Sequence, residues 1–246
     1  MAPRMHTRTL DMSSRKPFSR RRFGALALAP LGRAIFGSEH KQTLPLDPIC
    51  GRMTELDDWR ARTLLGYSCA RRYTLRHGNS GEPAEMVVQV EYACPGRKSF
   101  QTISQKNAGF LEDQIFRRLL HAEIQAARDN IRDSTRIVPA NYDFAVLGIE
   151  ALDGRSSYVI RVRPRRKERL LVDGKIWVDS EYAAVARVEG RIDTGSFWVR
   201  NAHTVQSYSR IGPYWLAASN QSDANVRILG EVRLRIDCFD YHLRTA

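Results

Sequence analysis

The 246-residue chain has little of what marks the common enzyme and metal-site classes. Its four cysteines, Cys50, Cys69, Cys94 and Cys238, contain no Cys-x-x-Cys pair, which leaves a zinc ribbon or a thioredoxin-type redox site without support. The six histidines, at positions 6, 40, 77, 121, 203 and 242, lack metal-ligand spacing. There is no Gly-x-Ser-x-Gly elbow, no His-Glu-x-x-His, no Gly-x-x-x-x-Gly-Lys and no Gly-x-Gly-x-x-Gly, so the hydrolase, metalloprotease, P-loop and dinucleotide chemistries have no signature here. No apolar run approaches the about 20 residues of a membrane-spanning helix. Acidic side chains are also scarce, 27 against 39 Lys and Arg, for a net charge of +12.

That charge is unevenly placed. Residues 1–38 carry eight basic side chains against Asp11 alone, leaving 31 basic and 26 acidic residues for the rest. A strongly basic whole chain would suggest nucleic acid as a partner, but most of this excess belongs to one short segment. Within it Ser19-Arg20-Arg21-Arg22-Phe23 precedes the apolar stretch from Gly24 to Gly32. The segment reads as an export leader of the twin-arginine type, with a hydrophobic stretch within the usual ~7–15 residues. The expected organisation is therefore a signal peptide over 1–38, a linker and short helix over 39–64, and one β-domain over 65–246, released into the periplasm or secreted. In an oxidising compartment the four cysteines allow three full pairings, between which spacing does not choose. Leu46-Asp47-Pro48-Ile49-Cys50 is a loose match to a lipoprotein acylation site, with a bulky Ile49 before the cysteine.

Residues 39–58 are polar and proline-punctuated, and 55–66 have the apolar spacing of a short helix stopped by Gly66. Strands are expected over 67–76, 84–92 and 97–105; in the second, Met86, Val88, Val90 and Tyr92 alternate with polar neighbours. Residues 109–129 form the best helix: Leu111, Ile115, Phe116, Leu119 and Leu120 share a broad apolar face, opposite Arg117, Arg118, His121 and Gln125. From Tyr142 onward the pattern predicts nine further short strands, separated by turns such as Asp153-Gly154 and Asp173-Gly174. Inward sets include Tyr158, Ile160 and Val162; Ala184, Ala186 and Val188; Val232, Leu234 and Ile236. Their opposite faces carry Arg161 and Arg163, Arg187 and Glu189, and Arg233, Arg235 and Asp237, as one wet and one buried side of an antiparallel sheet require.

Three consecutive stretches, Ser157 to Pro164, Asp173 to Asp179 with its Trp177, and Tyr182 to Gly190, resemble the central strands of the LolA/LolB-like outer-membrane lipoprotein-sorting family. The later Ser209 to Leu216, with Gly212 and Trp215, is similar to a further strand of that family, and Tyr241 stands near its usual terminal tyrosine. The resemblance implies a mainly β, α+β fold: a single curved antiparallel sheet, an open half-barrel with helices covering the hollow. It also implies a non-catalytic carrier of a lipid, a lipoprotein acyl chain or another hydrophobic ligand; the chain is further expected to be a monomer with no cofactor, no metal and no nucleic-acid partner. Ile160, Val162, Ile176, Val178, Val188, Leu234 and Ile236 are the expected lining of the hollow. The dense basic turn around Pro164, above all Arg165, Arg166 and Lys167, is a solvated turn or a contact for anionic headgroups or a partner. Two alternatives stay open: an envelope sensor binding a partner on the same fold, and a small-molecule enzyme using the hollow. For the latter, Asp179, Glu181 and His203 are the polar residues that distant strands would have to gather.

Overall fold

A computed structural model describes residues 46–246, apart from 79–80, 193–198 and 228–229. The expected leader and the segment to residue 45 lie outside the described residues.

Helix α1 (Leu46–Thr63) starts earlier than the sequence pattern suggests. Pro48 sits in its first turn, where a missing N–H costs nothing, and Asp47 there and Arg60 and Arg62 in the last turn match the helix dipole. It does not stop at Gly66. The chain passes directly into β1 (Leu64–His77), and the Thr63 carbonyl accepts from the backbone N–H of Ala246 at 3.0 Å. Gly66 is a strand residue: a Cβ there would come within 2.4 Å of the Tyr92 carbonyl oxygen. Its role is close approach of strands, not helix termination.

The hairpins β1–β2 (Ala84–Ala93) and β2–β3 (Arg97–Lys106) lead to helices α2 (Phe110–Ala126) and α3 (Asp129–Thr135). An antiparallel meander follows: β4 (Tyr142–Leu152), β5 (Arg155–Pro164), β6 (Val172–Asp179), β7 (Val185–Ile192), β8 (Val199–Ile211), β9 (Tyr214–Val226) and β10 (Gly230–Thr245). All ten strands form one sheet in the order β3-β2-β1-β10-β9-β8-β7-β6-β5-β4, open at β3 and β4. The fold is mainly β, one antiparallel sheet that does not close.

The Asp153-Gly154 turn appears as expected, with φ of 50° and 76°, the paired positive values of a two-residue hairpin turn. Asp173-Gly174 is instead inside β6. Gly174 pairs with Gly190, and a Cβ on Gly174 would lie 1.9 Å from the Glu189 carbonyl, so these glycines allow two backbones to touch. Among the described residues the C-terminal part holds seven strands rather than nine, because the polar stretches read as breaks lie within β8 and β9. Register shifts at Arg200/His203 and Ser207/Tyr208 absorb the irregularity without ending either strand.

Both core clusters lie on one face of the sheet. The first gathers Tyr73, Leu75, Met86, Val88 and Val90 around Phe116 of α2; the second gathers Tyr142, Ile160, Val162, Ile176 and Val178 around Ile49 and Met53 of α1. Trp59, further along α1, stacks on Tyr214 at 5.0 Å and so belongs to the first. One helix thus spans both clusters.

Candidate functional site

A cavity of about 660 Å³ lies on this face, within the ~300–1,000 Å³ typical of ligand sites. Helix α1 contributes Met53, Leu56 and Arg60 to its wall, and the segment after α3 contributes Arg136, Ile137 and Val138. Tyr92 of β2 and Tyr142 of β4 line it from near the two ends of the strand order, so the sheet wraps around it. Arg136 ties its segment to α1, donating to Asp57 at 2.7 Å and to Asp58 at 2.6 Å.

The floor is divided by chemistry. Val188 is apolar, but the neighbouring strands present Thr204, Gln206 and Asn220. These side chains satisfy one another: Asn220 Nδ2 donates to Thr204 Oγ1 (2.9 Å) and Gln206 Oε1 (3.0 Å), and Ser222 Oγ donates to Asn220 Oδ1 (2.8 Å). A polar seam therefore separates the two apolar clusters, bound tightly enough to sit in a partly buried sheet.

A second polar group lies beneath α2. Glu123 Oε2 accepts from Arg71 Nη1 at 2.5 Å and from Lys98 Nζ at 2.6 Å, while Oε1 accepts from the Tyr73 hydroxyl at 2.6 Å. Burial opposes ionisation of Glu123, but Lys98 and Arg71 outweigh it and hold the carboxyl below its usual range. Burial pushes Lys98 down, only partly offset by Glu123. At the other end of α2, His77 Nε2 and Glu112 Oε1 are 2.7 Å apart. Glu123 has a sequence signal: it lies seven residues after Phe116, on the helix's apolar face, and Arg71 and Tyr73 fall in the inward-facing set of β1. A lone carboxylate facing inward toward an inward arginine marks such a pair.

Of the seven residues expected to line the hollow, Ile160, Val162, Ile176 and Val178 are fully buried in the second cluster beneath α1. Leu234 and Ile236 pack at the first cluster, across the polar seam. Val188 alone among them lines the cavity. The seven share a face but not a surface.

The basic turn between β5 and β6 is largely compensated. Arg161 pairs with Asp173, Arg165 with Asp143 at 3.0 Å, and Arg166 with Glu168. Arg166 also donates to Asn141 Oδ1 (2.8 Å) and the Ser134 carbonyl (2.7 Å), fastening the turn to the segment after α3. Lys167 is exposed. Asp179, Glu181 and His203 are not gathered. Asp179 is buried, accepting from Arg155 Nε at 2.5 Å and from the backbone N–H groups of Glu181 and Tyr182, while Glu181 shares the same arginine. His203 lies on β8 in a separate polar groove with Arg76, His77 and Arg233. All four cysteines are free thiols. Among the described residues no cluster of His, Cys, Asp and Glu forms a metal site, and no helix is long and apolar enough to cross a membrane.

These features define a class: an open antiparallel sheet folded around a mixed apolar and polar cavity, with no gathered catalytic residues among those described. No protein-family model and no curated protein matches the chain. Among solved structures it is similar to a DUF1329 family protein from Desulfovibrio piger, at 12% identity over 81% of this chain and 93% of the other, with a TM-score of 0.43. It is also similar to a putative outer membrane lipoprotein-sorting protein domain from Vibrio parahaemolyticus, at 12% identity over 79% and 93% of the two chains, TM-score 0.43. A LolA superfamily protein from Nitrosomonas europaea matches at 14% identity over 80% and 93%, TM-score 0.38.

Proposed function

We propose that the protein is an exported, periplasmic carrier that binds a lipid, a lipoprotein acyl chain or another hydrophobic ligand in this cavity without transforming it. The observation that carries the reading is the cavity of about 660 Å³, walled by Met53 and Leu56 of α1 on one side and floored by the sheet on the other. In this reading α1 and α2 cover the hollow, and an acyl chain slides beneath α1. Burial would supply about 25 cal/mol per Å² of apolar surface before ordering costs. The leader at Ser19 to Phe23 supports export, and Lys167 with the outer face of its turn is the surface for an anionic membrane.

The test is uptake of a fluorescent fatty acid alongside thermal melting on the same samples. Val188→Glu should reduce uptake, because the charge enters the cavity, whereas Ile176→Ala should lower the melting temperature and leave uptake at low temperature unchanged. No uptake by the parent protein overturns the reading. A partner-binding module on the same fold is the second reading. Exposed apolar side chains on both free edges favour it: Ile103 on β3 and Leu147 and Ile149 on β4. Unpaired edges accept an added strand.

A further inference from the structure

We propose that Arg71 and Lys98 form a head site at one end of the cavity, taking the carboxylate or phosphate of a single-chain amphiphile; this rests on the carrier reading above.

Among the described residues the charge of this cluster is unbalanced. Two cations share the single carboxylate of Glu123, and both converge on the same oxygen. Arg71 is 7% exposed and the Lys98 side chain 11%, so water does little to screen the surplus. Among the described residues, Arg71 Nε is buried with no hydrogen-bond partner. An ammonium carries three donors, so one bond from Lys98 to Glu123 leaves capacity for a second acceptor. The neighbouring thiols do not balance the charge, because burial pushes Cys69 and Cys238 up and keeps them neutral. Other arginines differ: Arg136 faces both Asp57 and Asp58, and Arg155 both Asp179 and Glu181. A buried positive charge without its anion is costly, and a ligand anion would complete it.

Position agrees with charge. Tyr92, which lines the cavity, is the cross-strand partner of Lys98, and Tyr67 stacks on it at 5.1 Å. Ala126, also lining the cavity, is three residues beyond Glu123 on α2. Arg71, Lys98 and Glu123 do not themselves line the cavity; the cluster adjoins its β2–α2 end through Tyr92 and Ala126. An amphiphile seated with its head there would run its chain beneath α1 toward Met53 and Val188.

The experiment compares laurate, dodecanol and dodecyl phosphate by titration calorimetry with the full mature domain. Charge-assisted bonds to a buried head should make laurate bind at least about tenfold tighter than dodecanol. Lys98→Gln should bring the two to parity, and Lys98→Arg should keep the preference. Dodecyl phosphate binding more tightly than laurate assigns the site to phosphate heads, and the reverse order to carboxylates. Equal binding of laurate and dodecanol by the unaltered protein overturns the head site while leaving the carrier reading intact. That comparison needs no variant to fold. Binding of none of the three overturns both.

Discussion

Replacing Glu123 by Ala is the sharpest test of how this fold is held together. The substitution removes the one carboxylate on which Arg71, Lys98 and Tyr73 converge. Breaking a buried ion pair by deleting one partner costs about 3–5 kcal/mol, because the remaining charge stays desolvated. The structure offers one escape, loss of a proton from Lys98, whose affinity for it is already weakened by burial. From an ordinary lysine pKa, neutralisation at pH 7 costs roughly 5 kcal/mol, so escape caps the penalty without removing it. We expect Glu123→Ala to lose about 3–5 kcal/mol, which at about 3 °C per kcal/mol for a domain of this size is a drop of roughly 10 °C in melting temperature. Lys98→Met alone leaves Arg71 and Glu123 as a matched pair and should change stability by about 1 kcal/mol or less. The double variant should recover at least about 1 kcal/mol relative to Glu123→Ala, the signature of coupled sites. Urea unfolding of the four proteins at pH 7 measures all of this. A Glu123→Ala cost below about 1 kcal/mol would refute the reasoning, since it would mean that the charges remain hydrated.

Three other outcomes follow from the same geometry. Burial opposes ionisation of Glu123 and Asp179, but their basic partners win and hold both carboxyls low. Their stabilisation is therefore present above the ordinary carboxylate range, about 4, and lost as pH falls through the lowered folded values; melting temperatures from pH 7 to pH 2 should fall only at the acid end, and less for Glu123→Gln. Changing Arg165, Arg166 and Lys167 together to Gln should cost about 1–3 kcal/mol, because Arg166 fastens its turn to Ser134 and Asn141; an unchanged melting temperature would return the turn to a purely solvated role. Replacing Arg20 and Arg21 by Lys should keep the precursor in the cytoplasm, read by fractionation, and unchanged export would remove the twin-arginine reading.

The strand faces were legible wherever one side of the sheet is uniformly apolar. Ile160 and Val162 alternate with Arg161 and Arg163, and Val232, Leu234 and Ile236 with Arg233 and Arg235; period-two alternation with one wet face has a single buried solution. The long face of α2 around Phe116 was legible for the equivalent reason at helical period. Where inward residues are polar, the pattern misled: Thr204, Asn220 and Ser222 read as breaks in the strands, yet Thr204 and Asn220, with Gln206, floor the cavity and Ser222 bonds to them. Their burial is tolerable only because each finds a partner on the adjacent strand, and that pairing exists only once β8 lies beside β9. Gly66 and Gly174 misled similarly, since a turn and a close backbone contact both demand glycine, and sequence does not say which. Local residue order thus determined periodicity, face and the absence of familiar catalytic motifs. Tertiary structure alone decided that β1 joins β10, that α1 bridges two clusters, and that Lys98 joins Arg71 on Glu123. Those contacts link residues 25 to more than 100 positions apart, and their free energy arises only from desolvation in the assembled core.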